Sequence, residues 1–369
     1  MAQPFSNLQP LSTACDHHLP CNIETVAWGY FCAAREPQAI IESGSTISVD
    51  TVSMPLNGNL ERGLPTTAEG CLPCEPHTPP EILDIHKNVQ KGEGPHVLTG
   101  PIAVRGAEAG DVLSISILEV ALRSNWAWTF SKPFGGALGS ATPLHIRHTK
   151  LEPASGRQCG VGRPWWGGQL DLAPFFGILG TAPAAELGRQ GSIPPRNEYG
   201  GNLDCKELTA GSTVYLPVNV PGAQLYVGDG HAAQGDGECC GTALETSLTG
   251  AFRLEVIKQG EPPSSAQPAG SPAGSSGGTA AGTAVGKRLG VRAPLKQPRA
   301  ETDSLLISLA CAVGSDEASR LAIEDMLDWL ADLRPALERK DAYLMLSVAA
   351  DVRITQVRPV GGMVGPHSL

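Results

Sequence analysis

The stretch AGDVLSISI, residues 109–117, contains the pattern that decides the fold class of this chain. Apolar residues alternate with serine from Leu113 to Ile117, and this period of two is typical of a β-strand with one buried face. A glycine turn precedes the strand. Similar turn-and-strand patterns begin at residues 43–47 and 210–214, so the sequence predicts a fold built of many short strands.

Composition divides the chain into three regions. Residues 1–258 combine short strand patterns with many of the 44 glycines and 31 prolines, which predicts a mainly β body, a β-sandwich or barrel assembly. Residues 259–287 consist mainly of Gly, Ala, Ser and Pro. Such a segment buries little apolar surface, so we expect a low-complexity flexible insertion that can be shortened at small cost. Residues 288–369 are expected to form an α+β part.

The α+β interpretation of the C-terminal region rests on a change of periodicity. Apolar residues at 323, 326, 327 and 330 follow the i, i+3, i+4, i+7 spacing of an amphipathic helix. Pro335 is expected to end this helix. A second short helix near 341–350 then leads into a predicted strand at 352–357.

The charge balance restricts the partners of the protein. Acidic residues number 37 and basic residues 27, which gives a formal net charge of −10. A negative surface disfavours nucleic acid and anionic membranes, whereas a small neutral or cationic substrate fits. The N-terminus lacks a cationic start followed by an apolar run, and we expect a cytoplasmic protein. The ten cysteines are then interpreted as reduced thiols.

The segment VGDGHAAQGDGE, residues 227–238, places three acids and a histidine among four glycines. Asp229 and His231 are two residues apart, as are Asp236 and Glu238. In an extended chain each pair projects to one face, and the glycine turn between them would fold the pairs together. Imidazole and carboxylate ligands suit zinc or a similar divalent ion. A solvated acidic turn is the alternative.

Two other interpretations of this segment fail on spacing. Residues 228–233 formally match the glycine fingerprint of dinucleotide sites, but more glycine follows where a helix should begin. A calcium loop starting at Asp229 would require an oxygen donor at Ala233 and a glycine at Gln234. A metal site and a solvated turn therefore remain.

Several longer stretches occur in an order that identifies a family. They are HVLTGPIAVRGAEAGDVLSISI (96–117), PFFGILGTAP (174–183), GGNLDCKELTAGSTVYLPV (200–218), VGDGHAAQGDGE (227–238), PRAET (298–302) and DAYLMLSVAADVRITQV (341–357). Together they resemble the acetamidase/formamidase family. The insertion departs from the family pattern, as does Cys205, which stands where asparagine is familiar. Neither departure touches a candidate site residue.

The resemblance implies a function. It indicates hydrolysis of short aliphatic amides, such as formamide or acetamide, to the carboxylic acid and ammonia, on a mainly β framework. It also implies a divalent metal ion, for which we expect zinc. We further expect a homo-oligomer, and the negative charge argues against nucleic acid and membrane partners. On this interpretation residues 288–369 complete the same catalytic unit as the β body.

Candidate site residues combine the motifs with the acidic segment. The expected metal ligands are Asp229, His231 and Glu238. The expected catalytic groups are acid–base or positioning residues near the ion, namely Asp236, His96 and Asp204. The expected substrate-binding residues are the polar side chains of the same motifs, Asn202 and Thr99. Candidate pocket walls, equally consistent with a core, are Phe175, Phe176, Trp126 and Trp128.

Two alternatives to a metal-dependent amidase stay open at this point. Cys239 adjoins the acidic segment and could serve as the nucleophile of a cysteine amidase. The chain could also be a β-sandwich that binds small molecules without catalysis. Chelation and ammonia release separate the three hypotheses.

Overall fold

The fold of this computed structural model is described for residues 10–53, 79–133, 135–152, 160–260, 291–357 and 364–368. The strands are β1 (His17–Leu19), β2 (Val26–Trp28), β3 (Tyr30–Phe31), β4 (Ala39–Ile41), β5 (Thr46–Asp50), β6 (Val97–Val104), β7 (Val112–Leu122), β8 (Trp126–Ser131), β9 (His145–Glu152), β10 (Val161–Arg163), β11 (Leu170–Asp171), β12 (Phe175–Gly180), β13 (Gln190–Gly191), β14 (Gly200–Asn202), β15 (Thr213–Pro217), β16 (Leu225–His231), β17 (Leu248–Ile257), β18 (Arg299–Glu301), β19 (Leu306–Ala312), β20 (Arg353–Ile354) and β21 (Val364–Ser368). The helices are α1 (Pro80–Asn88), α2 (Ser315–Leu333) and α3 (Arg339–Ala349).

Two large sheets enclose the main core. One has nine strands in the order β1-β5-β17-β7-β15-β18-β19-β21-β20, and the other has the order β14-β12-β16-β6-β2 with β4 also paired to β6. A single apolar cluster takes side chains from both sheets, and the rings of Phe176 on β12 and Phe252 on β17 lie 5.3 Å apart. The predicted mainly β fold with a C-terminal α+β part is confirmed.

The turn-and-strand patterns are also confirmed, since β5, β7 and β15 follow them. One detail of β7 is different. Ser114 and Ser116 are only 2% exposed, although the alternation predicts a solvent-facing row. Ser114 lies opposite Tyr215, whose ring meets that of Trp329 on α2 at 6.5 Å. A helix from the C-terminal part therefore covers the face that the local pattern assigns to solvent.

The C-terminal helix α2 is fixed to the nine-stranded sheet by a buried ion pair. The guanidinium of Arg299 on β18 donates two hydrogen bonds of 2.8 Å to the carboxylate of Asp325. The hydroxyl of Ser308 on β19 donates to the same carboxylate at 2.7 Å. The helix ends just before Arg334 and Pro335, as expected, because a residue that precedes proline avoids helical geometry.

The chain after α3 is less regular than expected. Only β20 forms within the strand predicted at 352–357, because the following residues turn toward the candidate site. The hydroxyl of Thr355 donates to the carbonyl of Leu203 at 2.9 Å. Of the predicted insertion at 259–287, only the first two residues belong to the described part of the chain. Within that part, no helix combines the length and the hydropathy required to cross a bilayer.

Candidate metal centre

The last residues of β16 form the floor of the candidate site. Asp229 and His231 are 9% and 0% exposed, and β16 is flanked by β12 and β6. Asp229 has a φ of 58°, in a left-handed region that side-chain-bearing residues seldom adopt. Backbone strain of this kind concentrates at functional sites, where the surrounding structure holds it in place.

Five buried side chains converge there in two overlapping groups. Asp204, Asp229 and His231 form one, and His231, Glu238 and Glu245 form the other. Within each group the ligand-type atoms lie within 4.8 Å of one another. Nε2 of His231, which belongs to both, lies 3.4 Å from Oδ2 of Asp229 and 3.4 Å from Oε1 of Glu245. Donors of this kind at this spacing could hold a divalent metal ion.

A glutamine fixes the orientation of the shared imidazole. Oε1 of Gln234 lies 3.0 Å from Nδ1 of His231, so Nδ1 donates and Nε2 is the nitrogen that faces the acids. Nε2 itself has no hydrogen-bond partner among the described residues. The amide of Gln234 donates to the carbonyls of Asp204 at 2.7 Å and Thr355 at 3.1 Å. This is the arrangement that orients a metal-binding histidine.

A second glutamine, from the C-terminal part, joins two of the acids. Nε2 of Gln356 donates to the carboxylate of Asp204 and, at 3.0 Å, to Oε2 of Glu238. Asp204 follows β14, and its backbone N–H donates to the carbonyl of Gly177 at 3.1 Å. Asp204 and Glu238 have φ angles of 47° and 41°. Three of the four acids of the centre are thus held in left-handed conformations.

Burial and mutual charge control protonation in this cluster. Burial raises the pKa of Glu245 to about 7, although the neighbouring His231 lowers it. Burial would also raise the pKa of Asp229, but His96 and His231 outweigh burial and hold it below its usual value. Burial would lower the pKa of His231, yet Glu245 and Asp229 raise it well above its ordinary value. Buried carboxylates stabilise a cation in this way, and a divalent ion would offset their charge more fully than a proton.

Gly177 leaves the space in which the cluster sits. A Cβ at this position would lie 2.6 Å from Oδ1 of Asp204, 2.7 Å from Cε1 of His231 and 2.8 Å from Oδ2 of Asp229. Any side chain would therefore displace three members of the centre. Gly177 is not among the predicted site residues. The available signal was a glycine inside the strand pattern PFFGILG, since an isolated strand glycine often marks a close approach.

The structure separates the four charged residues of the segment 227–238. Glu238 is 6% exposed and joins the buried group, whereas the carboxylate of Asp236 is 41% exposed and forms an ion pair of 2.9 Å with Lys206. The expected extended pairing of Asp236 with Glu238 is wrong. The strand ends at His231 and the chain then enters turns, so alternate residues no longer share a face.

His96, Thr99 and Asn202 lie on or beside the same sheet. Nε2 of His96 is 3.8 Å from Oδ2 of Asp229, and Nδ1 of His96 is 2.8 Å from the hydroxyl of Ser192. Each of the other two donates a hydrogen bond to a backbone carbonyl. Thr99 donates to Asp50 at 2.7 Å, and Asn202 donates to Ile193 at 3.1 Å.

Thr99→Val is expected to lower the free energy of unfolding by about 1–2 kcal/mol, because the substitution removes a buried hydrogen bond. Urea denaturation monitored by circular dichroism measures this change. The Michaelis constant for formamide, measured on the same protein, tests the substrate contact expected from the sequence. An unchanged stability would show that the bond to Asp50 contributes little.

Glu245 is a residue of the centre that no sequence motif predicts. It lies outside the acidic segment and reaches the site through backbone pairing, since it forms isolated bridges with both His231 and Trp128. The backbone N–H of Ala243 donates to Oε1 of Glu245 at 3.0 Å. Gln234 and Gln356 were missed for a different reason, because amide side chains carry no spacing signal for a metal site.

Comparison with known proteins agrees with the motifs. The model of the Acetamidase/Formamidase family matches residues 84–192 and 188–365. This chain belongs to that family. The chain is 31% identical to the formamidase of Methylophilus methylotrophus over 215 residues, which cover 45% of this chain and 52% of the relative. It is 30% identical to the acetamidase of Mycolicibacterium smegmatis over 225 residues, which cover 45% and 54%.

Among solved structures, the fold resembles that of the acetamidase from Bacillus halodurans. The TM-score is 0.68 at 25% sequence identity, with 95% of this chain and 96% of the other covered. The chain spans about half the length of the curated family members that it matches in sequence. The likeness to the Bacillus halodurans structure extends over nearly the whole of both chains.

Proposed function

We propose that this protein hydrolyses short aliphatic amides, such as formamide and acetamide, to the carboxylic acid and ammonia with the help of a divalent metal ion, for which zinc is the candidate. The observation that carries the proposal is the buried cluster around His231, in a chain of the acetamidase/formamidase family. The names of the relatives support the amide substrates.

The residues present fit a metal ion. Nε2 of His231 is buried and lacks a hydrogen-bond partner in the described part of the chain, and Gly177 keeps the space beside it open. Asp229, His231 and Glu238 would hold the ion, joined by Glu245 and Asp204. When bound, the ion would polarise the amide carbonyl and lower the pKa of the attacking water.

The remaining chemistry falls to side chains beside the cluster. Amide hydrolysis requires a proton on the leaving nitrogen, and His96 lies 3.8 Å from Asp229 with its other nitrogen bonded to Ser192. We assign His96 to that proton transfer. Asp204, held by Gln356, would position the reacting groups. Asp236 is paired with Lys206 at the surface, so an acid–base role would require it to leave that pair.

The proposal includes a homo-oligomer in the cytoplasm. Three apolar or aromatic residues of helix α3 are exposed to solvent: Tyr343 (57% exposed), Leu344 (64%) and Val348 (90%). Apolar side chains grouped on one helix in this way are typical of a protein–protein interface. The seven cysteines of the described residues are free thiols, which agrees with a reducing compartment.

Removing the metal is the decisive experiment. We expect exhaustive chelation to abolish ammonia release from formamide and acetamide, and re-addition of zinc to restore it. The matched variant is Cys239→Ser, because Cys239 is exposed and adjoins Glu238, and its thiol donates to the carbonyl of Asp236 at 3.9 Å. Activity that survives chelation but is lost in Cys239→Ser would establish a cysteine amidase instead. Binding of amides without any turnover would establish the non-catalytic alternative.

A further inference from the structure

The face that carries the metal centre continues across two further strands. Phe175 pairs with His231, His231 with Glu245, Glu245 with Trp128, and Trp128 with His148. Side chains of directly opposed residues lie on the same face of a sheet. Side-chain contact is seen between the first two residues of the row, since the rings of Phe175 and His231 are 5.0 Å apart. Trp128 therefore lies beside Glu245 on the face of the cluster, and His148 lies one strand further along the same row.

These two side chains present buried polar atoms. Trp128 is 6% exposed and His148 is 9% exposed. In the described part of the chain, Nε1 of Trp128 and both ring nitrogens of His148 have no hydrogen-bond partner. Nearly all buried polar groups in folded proteins are hydrogen-bonded, so three such atoms on neighbouring residues call for an explanation. A ligand that binds on this face would supply the partners.

Neighbouring aromatic rings hold the two side chains in place. The ring of Trp126 lies 5.4 Å from that of His148, and the ring of Phe130 is stacked on Trp128 at 5.5 Å. Burial lowers the pKa of His148 and so favours the neutral imidazole. A neutral imidazole offers one donor and one acceptor, and the indole offers one donor. An uncharged group with both a carbonyl oxygen and an N–H matches this set.

We propose that Trp128 and His148 form a subsite for a second carboxamide on the acyl chain of the substrate, so that diamides are preferred over simple aliphatic amides of the same size. This inference rests on the proposed amidase function. Neighbouring strands are about 4.8 Å apart, which places Trp128 and His148 roughly 5 and 10 Å from Glu245 along the row. Malonamide and succinamide, whose two amides are joined by one and two methylene groups, would direct the second amide toward Trp128, the nearer of the two.

The test compares each diamide with an apolar isostere. 3-Methylbutanamide has the size and branching of malonamide, and 4-methylpentanamide has those of succinamide. We expect the wild-type enzyme to favour at least one diamide by about tenfold or more in kcat/KM, because an isostere leaves the buried donors unpaired. Trp128→Phe and His148→Phe should bring that ratio close to one, mainly through a higher KM for the diamide.

Trp165→Phe is the control. Trp165 is 45% exposed, its ring packs on that of Trp166, and it belongs to neither the paired row nor its supporting rings, so the ratio should stay at the wild-type value. A wild-type ratio of kcat/KM values near one overturns the inference. This measurement does not depend on the folding of any variant. A ratio that both substitutions leave unchanged also overturns the inference.

The failure of the proposed function has a separate signature. In that case the wild-type protein releases no ammonia from formamide. Calorimetric titration with each diamide and its isostere then decides the inference by binding alone. Equal affinity for the two ligands of a pair would overturn it.

Discussion

Replacing His231 by alanine is expected to remove metal and activity together. His231 is the residue shared by both ligand groups, and its Nε2 lies 3.4 Å from two of the acids. Loss of a residue that merely orients a ligand costs about 10–100-fold in metal affinity or activity, and loss of the ligand itself should cost about a hundredfold or more. Elemental analysis and formamide turnover on one preparation measure both effects.

His145→Ala is the control, since His145 is an exposed histidine at the start of β9. It should keep the wild-type metal content and turnover. Full occupancy with lost activity in His231→Ala would make His231 an acid–base residue beside an ion held by other ligands. Full occupancy with full activity would remove His231 from the site and favour a solvated turn.

Gly177→Ala is expected to inactivate the enzyme without removing any functional side chain. The added methyl group would lie 2.6–2.8 Å from atoms of Asp204, His231 and Asp229, closer than real Cβ contacts allow. These groups must then move, and a displacement of about 1 Å at a reacting centre can cost about a hundredfold in rate. We expect a loss of that size in kcat/KM for formamide, together with lower metal occupancy.

Gly235→Ala provides a matched control from the loop that leads into Glu238. A Cβ at Gly235 meets no atom within 4 Å, so this variant should keep its activity and metal content. Circular dichroism should show that both variants fold, which separates a displaced centre from a lost fold. Wild-type turnover in Gly177→Ala would mean that the cluster adjusts freely, and would contradict a rigid metal centre.

Local patterns predicted much of the framework. The glycine turns before β5, β7 and β15, and the spacing and terminal proline of α2, were readable because both signals act over a few residues. Burial of Ser114 was not readable in this way, because Trp329, more than two hundred positions away, packs on Tyr215 beside it. The strand predicted at 352–357 was shortened for a similar reason, since Thr355 bonds to Leu203 instead of continuing the ladder.

The sequence by itself determined the fold class, the family and the segment that carries Asp229, His231 and Glu238, because strand periodicity and motif order are properties of neighbouring residues. Tertiary structure alone decided which groups share the centre. Backbone pairing with His231 brings Glu245 to the centre, and the C-terminal part contributes Gln356. Asp236 instead points to the surface and pairs with Lys206. Such contacts depend on strand register and chain reversal, which place residues far apart in sequence within a few ångströms, and no local spacing encodes them.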